Sequence, residues 1–184
     1  MDGEFAETGL RPPEPVGADD PRVETFRLLV GIVDRLREPD GCPWDREQTL
    51  ESMTPHLVEE AHELVEAIET DQDESISDEA GDLLLNVLLV ARIAQDNERF
   101  DLTQICEAIC AKLIRRHPHV FGDEAAASPG EALERWEAVK RRERAEQGGG
   151  EGEAGDSSAL AGVPRGLPAL QRARRMCDKA EATG

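Results

Sequence analysis

The sequence predicts an all-α protein, a bundle of four to five helices, on three observations. Apolar residues recur every three or four positions through residues 22–146, which is the repeat of one helical face. Capping residues and prolines stand where these stretches begin. No convincing run alternates apolar and polar residues, as a half-buried strand would.

Five helices are predicted in order along the chain. Each starts at a capping residue or proline, and these starts are Asp20-Pro21, Thr54, Ser77, Asp101 and Ser128-Pro129. The third helix is apolar on nearly every side from Leu83 to Ala94, so we expect neighbouring helices to surround it. The inward stripes predicted for the second and fourth helices are Leu57, Ala61, Leu64, Val65 and Ile68, and Ile105, Ile109 and Leu113.

Composition divides the chain into four parts. They are a disordered N-terminal lead-in (1–21), a helical domain (22–146), a flexible glycine-rich linker (147–160) and a short amphipathic C-terminal segment (161–184). In the last segment a short helix carries Leu170 and Met176 on one side and arginines on the other. We expect this segment to be a tail that docks elsewhere.

Charge and cysteine content exclude several classes of function. With 21 basic and 40 acidic residues, the formal net charge is −19, which disfavours sequence-independent binding to nucleic acid or to an anionic membrane. No apolar stretch approaches the roughly 18–20 residues of a membrane span, and no secretory signal is visible. The four cysteines form no CxxC pair, so we expect reduced thiols and a cytoplasmic protein.

Two predicted helices carry carboxylates on the edge of a buried stripe. Glu59, Glu60 and Glu63 share one face of the second helix, with Glu60 nearest its apolar side. Glu79 and Asp82 are three residues apart on the third helix, next to core leucines. If the two helices pack antiparallel, the carboxylates face each other and repel unless a cation lies between them.

A hard divalent cation such as Mg²⁺ or Mn²⁺ would relieve this repulsion and leave positions free for phosphate oxygens. Ordinary solvated acidic faces are the alternative. A protein at −19 also needs local positive charge to hold an anionic substrate, and the candidates are Lys112, Arg115 and Arg116 at the end of the fourth helix. Their alternative role is to complement the helix dipole.

Several motifs occur together in the same order as in a known family. They are CPWDREQT (42–49), EEAHE (59–63), DEAGDLL (78–84), KLIRRHPHVFGD (112–123) and RWEAVKRRE (135–143). The E-E-x-x-E motif is separated from E-x-x-D by 15 residues. The chain resembles MazG-type nucleoside triphosphate pyrophosphohydrolases over about residues 22–146.

The resemblance implies a Mg²⁺-dependent helical enzyme, a homodimer or higher oligomer, that converts a nucleoside triphosphate to the monophosphate and pyrophosphate. It implies that Glu60, Glu63, Glu79 and Asp82 ligate the metal. It also implies that Glu59 holds the attacking water or orients a ligand, with Glu59 or Glu60 accepting the proton of that water. It places Lys112 and Arg116 on phosphate, and Trp136 and Lys140 at further nucleotide contacts. Many members carry two tandem copies of this domain, and the sequence contains no second E-E-x-x-E.

Other residues keep more than one interpretation. Asn86, one turn beyond Asp82, is a hydrogen-bond donor behind the metal, a sugar contact or a satisfied core amide. Packing is favoured over base stacking for Trp44 and Trp136, a structural turn over catalysis for His117 and His119, and burial over zinc binding for Cys106 and Cys110.

Two other functions fit part of the pattern. A di-iron centre needs Glu-x-x-His twice, and only Glu59 and His62 supply it. The serious alternative to an enzyme is a catalytically weak or silent helical module that binds nucleotide or protein.

Overall fold

Eight helices make up the regular structure of the computed structural model, which describes residues 8–146, 163 and 169–181. They are α1 (Pro21–Arg37), α2 (Pro43–Glu47), α3 (Met53–Glu69), α4 (Asp73–Asp96), α5 (Leu102–Arg116), α6 (Pro118–Phe121), α7 (Pro129–Glu146) and α8 (Ala169–Glu181). The described ranges contain no strand, so the all-α prediction is confirmed. The whole of the predicted linker, 147–160, lies outside the described residues.

The chain divides into two units, Met1–Ser128 and Pro129–Gly184. The first contains α1 to α6 and the second contains α7 and α8. The helix predicted to follow Ser128, which sequence analysis grouped with residues 22–146, therefore falls in the second unit. None of the helices in the described ranges has the length and apolarity needed to cross a bilayer.

Local signals predicted three helix starts correctly, and one of these is the start of α7 at Pro129. The Asp20 side chain accepts a hydrogen bond from the backbone of Arg22, with Pro21 at the first helical position. Asp101 and Gln104 form the expected capping box at the start of α5. Side-chain oxygens thus satisfy backbone N–H groups that the first turn of a helix leaves free.

Two other helix starts differ from their predictions. Helix α3 begins at Met53, just before the predicted cap Thr54, and α4 begins at Asp73, a turn before the predicted cap Ser77. Acidic Asp73 and Glu74 stabilise the first turn of α4 through the helix dipole. Only residues 70–72 connect α3 and α4. Asp71 in this connection adopts a left-handed conformation (φ 54°), which a continuing helix does not allow.

The main core lies where α1, α3 and the second half of α4 meet. Its fully buried members are Val33, Met53, Leu88, Leu89 and Ile93. The predicted inward stripes are partly wrong, because Val65 and Ile68 of α3 and Ile109 and Leu113 of α5 are exposed. The buried positions are instead Met53 and Ala67 on α3 and Ala111 and Ile114 on α5.

Part of the N-terminal extension contacts the end of α5 and α6. Leu10 packs against Ala111, Ile114 and Phe121 in a small second core. The Arg11 backbone N–H donates to the carbonyl of Phe121 at 2.6 Å. These contacts hold Leu10 and Arg11 of the N-terminal lead-in against α6.

One buried guanidinium joins three helices. The Arg37 side chain is 7% exposed, and its Nε donates to Asp96 Oδ2 at 2.8 Å. Its Nη1 donates to the backbone carbonyls of Asp45, in the middle of α2, and Gln48, the residue that follows α2. Burial raises the pKa of Asp96, but hydrogen bonds from Arg37 and Arg92 outweigh it and hold that pKa below its usual value. Arg37 therefore fixes α2 against α1 and α4.

We predict that Arg37→Met lowers the free energy of unfolding by about 2–4 kcal/mol, because it leaves buried acceptors without their donor. Arg35→Met is the matched control in the same helical turn, since Arg35 pairs with Glu38 and Asp40 in solvent. Urea denaturation measures both. Equal stability of the two variants would contradict the structural role assigned to Arg37.

Candidate metal centre

The α3–α4 hairpin positions the acidic residues. The two helices run antiparallel and pack more extensively on each other than any other pair in the described ranges. Because the connection is only three residues long, the last turns of α3 lie beside the first turns of α4. The carboxylates of both helices are thereby brought to one place.

Three of the predicted carboxylates converge there. Glu60, Glu79 and Asp82 each offer one oxygen, and these oxygens all lie within 4.8 Å of one another. Glu60 and Glu79 are half-buried, and Asp82 is exposed. Oxygen ligands at this spacing suit a hard divalent cation, and the exposed Asp82 leaves the group open to solvent. We call Glu60, Glu79 and Asp82 the carboxylate cluster.

Burial and mutual repulsion raise the pKa values of Glu60 and Glu79 in this cluster. Burial raises the pKa of Glu60, and the negative charges of Asp82, Glu63, Glu79 and Glu59 raise it further. The pKa of Glu79 is raised by burial and then by Glu63, Asp78 and Asp82. Among the described residues, no lysine or arginine forms an ion pair with the cluster.

The raised pKa values of Glu60 and Glu79 make the stability of the fold depend on pH. When a carboxyl pKa is higher in the folded chain than in the unfolded chain, the folded chain holds the proton more tightly. Glu60 and Glu79 therefore favour folding at low pH and oppose it as the pH rises through their folded pKa values. A bound cation would remove this cost at neutral pH, which is the electrostatic condition of a metal site.

The other two predicted acids lie at the edge of the cluster. Glu63 is not one of the three converging residues, although its charge raises the pKa of both Glu60 and Glu79. Glu59 is exposed, and its Oε2 lies 3.7 Å from His56 Nδ1, on the preceding turn of α3. Glu63 therefore lies close enough to act on the cluster through its charge, whereas Glu59 is turned along α3 towards His56.

An open groove adjoins the cluster along the first turns of α4. Its volume is about 650 Å³, and its lining residues are Asp73, Glu74, Ser77, Asp78, Gly81 and Asp82. Gly81 leaves space at its centre, since nothing lies within 4 Å of where a Cβ would be. A large ligand can therefore approach Asp82 from this side.

The predicted cations are found on other elements. Lys112, Arg115 and Arg116 occupy the last two turns of α5, which packs on α4. Trp136 and Lys140 lie in the second unit, where the Lys140 ammonium stands 4.5 Å from the centroid of the Trp136 ring. These two residues form a cation–π pair within α7.

Asn86 continues the line of the cluster along α4. Its side chain is buried, and its Nδ2 has no hydrogen-bond partner among the described residues. The interpretation of Asn86 as a core amide with all its hydrogen bonds made is therefore wrong for the Nδ2 group. Sequence analysis had already singled this residue out because it follows Asp82 by one turn.

An aromatic pair also differs from the sequence-based view. Trp44 is 53% exposed, so packing in the core is not its role. Its ring meets the His56 ring edge to face, with the centroids 5.7 Å apart. Sequence analysis missed His56, although it precedes Glu60 by four residues and so shares its helical face.

The histidines and cysteines beyond the cluster have mixed outcomes. His117 Nδ1 lies 2.7 Å from the Leu113 carbonyl, where the ring caps the end of α5 as expected of a structural turn. All four cysteines are free. The expected burial is wrong for Cys106, which is exposed, and Cys110 is half-buried.

Comparisons with known proteins agree with this architecture. Residues 48–121 match the MazG nucleotide pyrophosphohydrolase domain. The nucleoside triphosphate pyrophosphohydrolase of Escherichia coli K12 is 45% identical over 149 residues, which are 80% of this chain and 54% of that protein. The Thermotoga maritima nucleoside triphosphate pyrophosphohydrolase/pyrophosphatase MazG is 41% identical over 86% of this chain and 58% of its own length.

A solved structure adds the fold to the sequence similarity. The crystal structure of a MazG-related protein from Thermotoga maritima matches with a TM-score of 0.54 and 31% identity, covering 62% of this chain and 98% of that one. This chain spans a little over half the length of the two curated relatives above. The residues that match include both halves of the α3–α4 hairpin. On this sequence and structural similarity, the chain belongs to the MazG nucleotide pyrophosphohydrolase domain family.

Proposed function

We propose that this chain hydrolyses nucleoside triphosphates, ribo or deoxy, to the monophosphate and pyrophosphate, with Mg²⁺ as its cofactor. The observation that carries the proposal is the convergence of Glu60, Glu79 and Asp82. Names of relatives in two organisms support the reaction class. Removal of a noncanonical or damaged nucleotide from the cellular pool would be a role for such a reaction.

The cluster fits a divalent cation in charge and in chemistry. Glu60, Glu79 and Asp82 would hold Mg²⁺, with Glu63 as a further ligand, and Mn²⁺ is a plausible substitute because it prefers the same oxygen donors. When bound, the ion neutralises phosphate charge and lowers the pKa of coordinated water. The raised pKa values of Glu60 and Glu79 are the energetic reason for the cluster to take up a cation.

The chain's own residues would carry the remaining steps. Glu60 or Glu59 accepts the proton of the attacking water as its oxygen bonds to the α-phosphorus. The bond from that phosphorus to the bridging α–β oxygen breaks in line, and pyrophosphate leaves with the electron pair. Lys112, Arg115 and Arg116 would stabilise the negative charge on the phosphates.

We predict that Glu60→Gln lowers kcat by about 100-fold or more, because it removes a charge from the cluster and a proton acceptor while keeping side-chain size. Glu66→Gln, on an exposed turn of the same helix, is the matched control and should stay within about two-fold of wild type. Pyrophosphate release from a panel of triphosphates with Mg²⁺ is the measurement.

Two outcomes would contradict this proposal. Unchanged turnover by Glu60→Gln in excess Mg²⁺ would remove Glu60 from the reaction. Nucleotide binding by the wild-type chain without any release of pyrophosphate would instead favour a silent binding module.

We predict that Mg²⁺ or Mn²⁺ raises the Tm of the wild-type chain, since a ligand at 100 times its Kd stabilises the folded state by about 2.7 kcal/mol. The rise should shrink as the pH falls towards the raised pKa values of Glu60 and Glu79, because protons compete with the cation. Glu79→Gln should abolish the rise, whereas Glu69→Gln, at the exposed end of α3, should keep it. Differential scanning calorimetry with EDTA-treated protein tests this, and an equal rise in both variants would refute the site.

We propose a homodimer as the assembled form. Helix α3 leaves an apolar stripe uncovered, made of Val58, Val65 and Ile68, and α4 leaves Leu84 and Val87 exposed as well. Helix α4 was expected to be surrounded, but Leu84 and Val87 are 39% exposed in the single chain. A second copy would cover this stripe and complete the bundle.

We predict that sedimentation velocity gives a species of about 40 kDa, twice the 20.2 kDa of the chain. Val65→Glu should shift it to monomer because it places a charge in the stripe. Val120→Glu alters an exposed valine of α6 away from the stripe and should leave the dimer intact. A monomeric wild type, or a dimer that survives Val65→Glu, would overturn the proposed interface.

A further inference from the structure

The N-terminal lead-in contributes a side chain to the end of α5. Leu10 lies against Ala111 and Ile114, the two buried residues of the small second core. Among the described residues, Leu10 and Phe121 are the two partly buried apolar side chains that pack on this pair. Leu10 therefore supplies a large share of the apolar cover over the last turns of α5.

Leu10 and Arg11 also fit closely against the residues that end α6. A Cβ added at Gly122 would lie only 3.2 Å from Leu10 Cδ2. The Arg11 backbone N–H donates to the Phe121 carbonyl, and its Nη2 lies 3.0 Å from Asp123 Oδ1. One apolar contact, one backbone hydrogen bond and one ion pair thus come from two adjacent residues. We call Leu10 and Arg11 the N-terminal strap.

The chain is restrained on both sides of the strap. Gly9 has a φ of 71°, a left-handed conformation that glycine adopts without steric cost, in the turn at residues 8–9. Pro12 and Pro13 follow the strap, and the residue before a proline is restricted to extended conformations. A segment with few alternative conformations loses little entropy when it is held in place. The strap can therefore dock through a small number of contacts.

The end of α5 that the strap covers carries the proposed phosphate contacts. At about 100° per residue, Lys112, Arg115 and Arg116 fall in one sector of the helix, which begins about 40° from Ala111. This cationic sector adjoins the buried face formed by Ala111 and Ile114. Because both faces belong to the same helical turns, a contact that fixes the buried face also fixes the direction of the cations.

We propose that Leu10 and Arg11 are positioning residues, which hold the cationic end of α5 in place for phosphate binding. The inference rests on the proposed function, since it assigns the placement of Lys112, Arg115 and Arg116 to the N-terminal lead-in. Without the strap, the last turn of α5 and the short α6 open more often, because helix ends with few buried contacts unfold locally at low free energy. The cations then spend part of the time away from the phosphates, and the affinity for the nucleotide falls.

Steady-state kinetics, binding and hydrogen exchange of full-length variants test the strap. Leu10→Ser removes the apolar contact, and Leu10→Met keeps a side chain of similar volume. Val16→Ser is the matched control, because Val16 is an exposed valine of the same lead-in. Pyrophosphate release in excess Mg²⁺ gives kcat and KM, and calorimetric titration with an uncleavable α,β-methylene nucleoside triphosphate gives Kd. Mass spectrometry measures the exchange of the backbone amides from Ala111 to Phe121.

We predict that Leu10→Ser raises KM about five- to ten-fold and keeps kcat within about two-fold, because the cations hold the phosphates equally before and during the reaction. Kd for the methylene analogue should rise by the same factor. Amide exchange over residues 111–121 should become about ten-fold faster. Leu10→Met and Val16→Ser should match the wild type. A chain that was merely destabilised would instead lose kcat at an unchanged KM, since less of it would be folded.

A second pair of variants separates the two polar contacts of Arg11. Arg11→Gln removes the ion pair with Asp123 and keeps the backbone donor, so it should behave as wild type, because both charges of that pair are exposed. Arg11→Pro removes the N–H that donates to Phe121, and it should raise KM about three-fold or more. A wild-type KM in both variants would remove Arg11 from the strap.

The combined results distinguish the strap, the hydrolysis and a purely structural contact. Faster exchange in Leu10→Ser with unchanged KM and Kd would make the contact structural and overturn the positioning role. Unchanged exchange with unchanged KM would overturn the strap even if the wild type hydrolyses triphosphates. A wild type that releases no pyrophosphate, together with a raised Kd in Leu10→Ser, would support the strap and refute the hydrolysis. A wild type that binds no nucleotide would refute both.

Discussion

Repulsion among carboxylates held together by the α3–α4 hairpin is the constraint on which the candidate site depends. The helices pack because their apolar faces meet, and the short connection then leaves Glu60 no way to avoid Glu79 and Asp82. Packing energy is thus used to hold like charges close together. This unfavourable arrangement is stable in the fold only because the rest of the hairpin and core supply more than it costs.

The two ends of α4 treat acidic residues in opposite ways. Near its C-terminus, Asp96 lies between Arg37 and Arg92, and hydrogen bonds from both hold its pKa low. Near its N-terminus, Glu79 has only acids and burial around it, and its pKa is raised. The first arrangement is complete within the chain and holds α1 to α4. The second has no ion-pair partner among the described residues, which is the condition under which we propose that it takes up a cation.

Local signals allowed part of the structure to be predicted from the sequence. The caps at Asp20 and Asp101 involve residues two or three positions apart, so their patterns are visible in the sequence alone. The pairing of Glu79 with Asp82 follows from helical spacing in the same way. The sequence does not show which apolar face becomes buried. Val65 and Ile109 are exposed although both fit a helical apolar stripe. Periodicity identifies an apolar face but not the partner that covers it.

The contact between Trp44 and His56 could not be predicted because it depends on how α2 is held by Arg37, a residue outside the CPWDREQT motif.

A different consequence follows from the three-residue connection after Glu69. Since Glu60 and Asp82 are near neighbours in chain distance, their approach needs little loop-closure entropy and can occur early on the folding route. If the hairpin forms before Val33 of α1 closes the core, the charge conflict is already present at that stage, and divalent ions in the surrounding medium are expected to affect how fast the chain folds as well as how stable it becomes.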